Sequence, residues 1–167
     1  VALGPEAANY LFNVMRLGRG ALVSLFNGRD GEWRAEVAEA GKRQGIAVCQ
    51  VETAPQVMPP DLWLMFSPIK KERTAFVVEK AVELGVARIM PVTTRRTQSD
   101  RWRLDKEQAH AVEAAEQCGA TFVPEVTDIE PLERVLKDWN PTRALYWADE
   151  SLAHGSSALT GIIAGTA

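Results

Sequence analysis

Cysteine and histidine are scarce in this chain: 167 residues hold only Cys49, Cys118, His110 and His154. The two cysteines lie far apart and match no Cys-x-x-Cys or Cys/His ligand spacing, which argues against a zinc site and a disulfide framework and fits a reducing, cytoplasmic setting. His110 reads as an ordinary helix-surface residue, neither histidine stands at metal-ligand or triad spacing, and Ser67 lies outside any GxSxG elbow, so neither a metal nor a nucleophile is expected. The phosphate-binding glycine patterns GxGxxG and GxxxxGK[ST] are missing as well, which leaves a Rossmann dinucleotide site and a P-loop unsupported. Long apolar runs are absent: none approaches the roughly 18 residues of a membrane span, and the first residues lack a charged-then-apolar signal pattern, so no membrane partner is expected. Nor is there an excess of positive charge. A net charge of −3 and a pI near 5.5 argue against nucleic-acid binding through overall basicity but leave room for a local basic groove.

What the chain does have is apolar material, 46% of its residues, enough for one sizeable core or two small ones. Up to Thr53 it alternates short apolar stretches, Ala21 to Phe26, Trp33 to Ala40 and Gln44 to Glu52, with breaks at Asn27-Gly28-Arg29-Asp30-Gly31 and Gly41-Lys42-Arg43-Gln44-Gly45. These breaks are expected to supply the positive-φ residues of hairpin turns, so residues 1–53 read as a small, mostly antiparallel β domain. Residues 54–60 end in two adjacent prolines that deny both helix and ladder, and read as a linker. From 61 to 167 the rhythm becomes strand, helix, strand: Leu62 to Phe66, a helix Thr74 to Leu84 capped by Gly85, Val86 to Val92, and a helix opened by a capping box at Asp105 to Gln108 and closed by Gly119. A strand ending at Pro124, a short helix Pro131 to Asp138, a strand Ala144 to Trp147 and an apolar stretch Ala158 to Ile163 follow. Alternation of this kind implies an α/β domain with a parallel sheet.

In such sheets ligands gather beyond the carboxyl ends of the strands, here the loops Ser67 to Arg73, Thr93 to Arg101 and Ala148 to Gly155. The first carries Lys70, Lys71 and Arg73, and the second Arg95, Arg96 and Arg101, with Trp102 and Arg103 directly after. Cations beside an aromatic can hold phosphates and stack a base, although on composition alone solvated loop charge is the better reading. Arg16, Arg19, Arg29 and Arg34 form a further basic group in the β domain. Glu79, Glu83, Glu113 and Glu116 recur at helical spacings that usually mean exposed faces or ion pairs with neighbours such as Lys80.

Three ordered blocks resemble one family. Asn9 to Leu17 with Leu25 to Gly28 is similar to the opening of the RsmE-type ribosomal RNA methyltransferases; Lys70, Arg73, Glu79 to Val86, Ile89 to Pro91 and Thr94 to Thr97 resemble its central stretch; Glu113 to Gly119 with Val123 to Glu125 resembles the third block. The resemblance covers nearly the whole chain. It implies a small PUA-like β-barrel domain followed by a SPOUT-type parallel α/β domain with a trefoil knot. It also implies S-adenosylmethionine as cofactor, methylation of N3 of a uridine in small-subunit (16S) ribosomal RNA, free or in the assembled small subunit, and a homodimer whose active sites lie at the subunit interface. On that basis Arg96, with Lys70 or Arg73, is a candidate to stabilise the anion formed as the imide loses its proton, and Glu83 and Glu116 are candidate bases. Arg16, Arg19, Arg29, Lys70, Arg73, Arg95 and Arg101 are candidate RNA contacts.

The chain departs from the family pattern at three places. Asn9 stands where the family usually has histidine, and Ala120 where it has arginine, which removes a bidentate clamp. The GPEGG loop and the LGxRILRxETA segment that form the family's cofactor pocket are absent, so the knot is expected to be incomplete and the chain truncated; Leu159, Thr160 and Gly161 are the expected remnant of the cofactor site. Two other classes stand beside the methyltransferase: a non-catalytic RNA-binding protein with a SPOUT-like fold, and a small-molecule α/β enzyme consistent with the acidic pI.

Overall fold

Two turn sequences set the first sheet. β1 (Ala2–Leu3), β2 (Leu22–Phe26), β3 (Glu32–Ala40) and β4 (Gly45–Ala54) pair antiparallel in the order β1-β4-β3-β2. In the β2–β3 turn the Asn27 side-chain oxygen accepts from the Arg29 and Asp30 amides at 2.9 Å each, and Gly28 and Gly31 take φ of 76° and 75°. The β3–β4 turn differs from the sequence expectation: neither Gly41 nor Gly45 has positive φ. Its glycines serve close approach instead. A Cβ on Gly45 would lie 2.5 Å from the Phe12 ring, and one on Gly41 2.8 Å from the Gln44 carbonyl oxygen.

The side chains of Ala35, Val37 and Ala47 turn inward from this sheet and are fully buried, while Arg34 and Val48 are exposed. Over the inner face lies a helical segment in which α1 (Pro5–Ala8) runs into a π-helical turn at Asn9–Val14, and its Leu11 and Phe12 pack against Leu3, Ala35 and Ala47. The segment ends at Arg16, whose φ of 56° is the one positive value outside glycine among the described residues. Sheet and segment together form a small antiparallel β unit. The residues that follow β4 are held at both sides: Gln56 Oε1 accepts from the Gly31 amide at 3.3 Å, while the buried Thr121 hydroxyl donates to Pro55 O at 3.3 Å and accepts from the Val57 amide at 3.0 Å.

The second sheet is parallel, β5 (Trp63–Phe66), β6 (Arg88–Thr93) and β7 (Glu125–Val126) in that order, connected by α2 (Lys71–Glu83) and α3 (Leu104–Cys118). Both crossovers step in the same direction, so right-handed connection places both helices on one face. Val78, Ala81 and Val82 of α2 meet Ala111, Ala114 and Ala115 of α3 there, over Val86, Ile89 and Val126. Gly85 and Gly119 end the helices at φ of 74° and 71°, as their positions predict. The start of α3 differs from expectation. Arg103 is its N-cap residue, no side chain caps it, and Asp105 sits inside the first turn. Phe122 to Pro124, expected as strand, is loop, because Pro124 has no amide to give a ladder and its carbonyl accepts from the Gln108 side chain at 3.2 Å. Gln108 Oε1 in turn accepts from the Val126 amide at 3.0 Å.

The structure, a computed structural model, describes residues 1–97, 101–148 and 162–163, which divide into the compact units Val1–Ile129 and Glu130–Ala167. Within the second unit, β8 (Glu130–Pro131) leads into α4 (Leu132–Lys137), and β9 (Leu145–Tyr146) pairs with β10 (Ile162–Ile163). That pair is antiparallel, not parallel as the strand–helix rhythm implied, with Tyr146 opposite Ile162. The expected knot falls outside the described residues. Among the described residues no helix is long and apolar enough to cross a membrane.

Candidate functional site

The carboxyl ends of β5 and β6 carry a cluster of cations. The β5 loop passes through buried Pro68 to Lys70, the N-cap residue of α2, with Lys71 and Arg73 in the first turn. Buried Thr74 fixes this loop, its hydroxyl accepting from the Ile69 amide at 3.1 Å and lying 3.2 Å from the Ile69 carbonyl oxygen. The β6 loop turns at Thr94 to Thr97, where the Thr97 amide donates to Thr94 O at 3.1 Å and the Thr97 hydroxyl accepts from the Thr94 amide at 2.6 Å. Arg95 and Arg96 occupy the exposed tip of that turn. The two loops are joined directly: Ser67 Oγ and Thr97 Oγ1 are 2.8 Å apart.

Charge pairing separates these cations from Lys80, Arg88, Arg103 and Arg134. Lys80 is held by Glu83 and Glu79, Arg88 by Glu125, Arg103 by Asp105 and Arg134 by Glu130. The Arg103 guanidinium holds the Asp105 carboxyl below its usual range, and Asp105 raises Arg103 in return, so this arginine is already neutralised at 2.7 Å. Lys70, Lys71, Arg73, Arg95, Arg96 and Arg101 are exposed and have no carboxylate partner among the described residues. Lys70, Lys71 and Arg73 also stand at the positive end of the α2 dipole, an unfavourable place for cations unless an anion joins them.

Trp102, expected to stack a base between these cations, is half-buried and closes the core instead. Its indole N–H donates to Thr127 O at 3.1 Å and its ring meets Phe66 edge-on at 6.2 Å. Glu83 and Glu116 do not join Arg96. α2 runs about 20 Å from its cationic first turn to Glu83, at 1.5 Å per residue, and Glu83 is bound there by Lys80 at 2.7 Å. Glu116 lines an open cleft of ≈ 570 Å³ with Phe26, Asn27, Ala87, Gln108 and Glu125, at the amino ends of β6 and β7. Arg16 and Arg19 are exposed in the connection between the helical segment and β2, and Arg29 is exposed in the β2–β3 turn. Leu159, Thr160 and Gly161 lie outside the described residues. Among the described residues no group of three His, Cys, Asp or Glu side chains is placed to hold a metal, and both cysteines are exposed free thiols.

Comparison with known proteins bears on this arrangement. The sequence model of the RNA methyltransferase domain matches residues 56–164, and that of the RNA methyltransferase PUA domain matches residues 3–49. The chain belongs to the RsmE-type RNA methyltransferase family. The ribosomal RNA small subunit methyltransferase E of Rickettsia conorii is 26% identical over 132 residues, 79% of this chain and 54% of that protein. The chain thus spans about half the length of this curated relative. A putative methyltransferase from Legionella pneumophila, solved with the bound cofactor SAM, superposes with a TM-score of 0.72 at 27% identity, over 84% of this chain and 61% of that one. The ribosomal RNA small subunit methyltransferase E of Neisseria gonorrhoeae, bound to S-adenosyl methionine, gives 0.71 at 27%, over 84% and 60%. These likenesses bear out the PUA-like and SPOUT-type architecture read from the sequence.

Sequence reasoning missed Ser67, Thr97 and Gln108, which hold backbone rather than chemistry. A signal was present in Thr94-x-x-Thr97, two hydroxyl residues flanking a turn, a spacing at which side-chain oxygens bind nearby amides. In this family member Ala120, where the family pattern carries arginine, is half-buried against the core with its amide on Ala115 O at 3.0 Å.

Proposed function

We propose that the protein methylates N3 of a uridine in small-subunit ribosomal RNA, with S-adenosylmethionine as methyl donor, acting in the cytoplasm as a homodimer. The observation that carries this reading is the set of unpaired cations on two loops joined through Ser67 and Thr97, in a chain of the RNA methyltransferase family. The names of related proteins, two small-subunit methyltransferases of which one was solved bound to this donor, support it.

In this reading residues 1–53 form an RNA-binding domain, with Arg16, Arg19 and Arg29 on phosphates, and Lys70, Arg73, Arg95 and Arg101 continue that track beside the reacting base. Bound S-adenosylmethionine supplies an electrophilic methyl group. The described residues of this edge present cations, which suits the RNA side of the reaction, and Leu159, Thr160 and Gly161 are the proposed donor contacts. Transfer of the N3 proton to a carboxylate base or to water leaves negative charge on the flanking uracil oxygens, and Arg96, aided by Lys70 or Arg73, stabilises that charge as it develops. Glu83 and Glu116, each far from Arg96 within one chain, stay proposed bases that act where the homodimer brings a second copy to the site.

The test is methyl transfer by the full-length protein from labelled donor to small-subunit RNA and to assembled subunits, with the modified nucleoside identified by mass spectrometry. N3-methyluridine is expected, with transfer lowered about 10²-fold in Arg96→Ala, the size seen when one preorganised donor to a developing anion is removed. A methyl group at another position overturns the substrate reading. Tight RNA binding without any transfer leaves the non-catalytic RNA-binding protein with a SPOUT-like fold.

A further inference from the structure

The turn that presents Arg95 and Arg96 has nothing intrinsic to make it stiff. Thr94-Arg95-Arg96-Thr97 contains neither proline nor glycine, and its two tip residues are long cations with many rotamers. They sit next to each other and share the sheet edge with Lys70, Lys71 and Arg73, so mutual repulsion favours spreading the two loops apart. One hydroxyl opposes this. Thr97 Oγ1 lies 2.6 Å from the Thr94 amide, 2.8 Å from Ser67 Oγ and 3.3 Å from Thr94 Oγ1. It therefore closes its own turn and ties that turn to the loop that leads into α2. Thr97 is half-buried while both arginines are exposed, so the hydroxyl is shielded and its cations face outward.

We infer that Thr97 is a positioning residue for Arg96, and that its hydroxyl, with Ser67, holds the two cationic loops as one preformed anion clamp. This rests on the proposed reading of the edge as the RNA site. A preformed clamp matters because a guanidinium that must first be ordered loses part of its binding energy to that ordering, and because a small misplacement at a reacting group lowers rate steeply. Ser67 contributes less than Thr97, since the Thr94 amide keeps its bond when only Ser67 is altered.

The test is a double-mutant cycle in the full-length protein, reading both affinity for small-subunit RNA and methyl transfer. Thr97→Val keeps the shape and removes the hydroxyl, whereas Thr97→Ser keeps it. Thr97→Val is expected to weaken RNA affinity about 3- to 10-fold, the range one hydrogen bond spans, with a larger loss in kcat than in KM. Thr97→Ser is expected to restore both to within about 2-fold, and Thr97→Val is expected to cost less in an Arg96→Ala background than in the parent. The latch is overturned if Thr97→Val matches the parent, if Thr97→Ser is as weak as Thr97→Val, or if the loss is the same with and without Arg96. Because affinity is read separately, a protein that binds RNA but transfers no methyl group defeats the proposed reaction, while its affinities still decide for or against the latch.

Discussion

Single side chains in this molecule differ less by type than by what they are bonded to. Arg103 and Arg96 are both exposed arginines near the same edge, yet one is spent on Asp105 at 2.7 Å and the other has no carboxylate partner among the described residues. Gln108 gives both ends of its amide to the chain around β7, on Pro124 O and the Val126 amide. Gln108→Leu leaves both backbone groups unpaired and is expected to cost about 1–3 kcal/mol, measured by urea denaturation; an unchanged midpoint would show that water replaces the amide. Gly45→Ala brings a methyl group into the Phe12 ring, 2.5 Å away in the unrelaxed geometry. A loss of about 1–3 kcal/mol is expected from such overpacking, and a thermal melt at parent level would contradict it. The sequence marks these two positions as special only in part. Glycine at 45 announces a turn, but not that an aromatic ring presses on it from Phe12, 33 residues earlier by the numbering.

At the scale of elements, pattern is legible where the information is local. Asn27 to Gly31 specifies a turn and Gly85 and Gly119 specify where helices end, whereas the apolar residues of α2 and its C-cap do not by themselves specify the buried face, since Phe76 and Leu84 are exposed while Val78, Ala81 and Val82 are buried. Pattern misleads where a partner distant in sequence decides. Trp102 looks like a stacking residue until Phe66 and Thr127 close around it, and Phe122 to Pro124 looks like strand until Gln108 takes the Pro124 carbonyl. The C-terminal half of α2 yields a prediction about pH. Lys80 lowers the Glu79 pKa chiefly through a direct hydrogen bond, and Glu83 raises that of Lys80. A lowered folded-state carboxylate pKa stabilises the fold above the ordinary carboxylate range, and that stability is lost as pH falls through the folded value. Thermal stability is therefore expected to fall more between pH 6 and pH 3 in the parent than in Lys80→Met, by a small margin because the cluster is exposed. Equal acid sensitivity would show that the cluster contributes nothing.

For the whole molecule the question is how a chain of net charge −3 would bind a polyanion as proposed. Placement answers it: acids pair Lys80, Arg88 and Arg103, while Lys70, Lys71, Arg73, Arg95 and Arg96 cluster at the carboxyl ends of β5 and β6 without a carboxylate partner among the described residues. Composition could not show this, because it counts charges without their partners. The first sheet is expected to add to the track, so that Arg16→Ala with Arg19→Ala weakens RNA binding and flattens its salt dependence by about 1–2 in log–log slope. An identical slope would place these arginines away from RNA.

The central claim is that the joined loops are the anion-binding edge, and its most direct measurement is RNA affinity of the full-length protein across salt concentration, with and without Lys70→Ala, Arg73→Ala, Arg95→Ala and Arg96→Ala combined. Every phosphate that is no longer neutralised lowers the slope by about 0.7–0.9, so the combined variant is expected to lose about 2–4 units while its thermal midpoint stays near the parent's. A variant that binds RNA with the parent's affinity and salt slope would contradict the account.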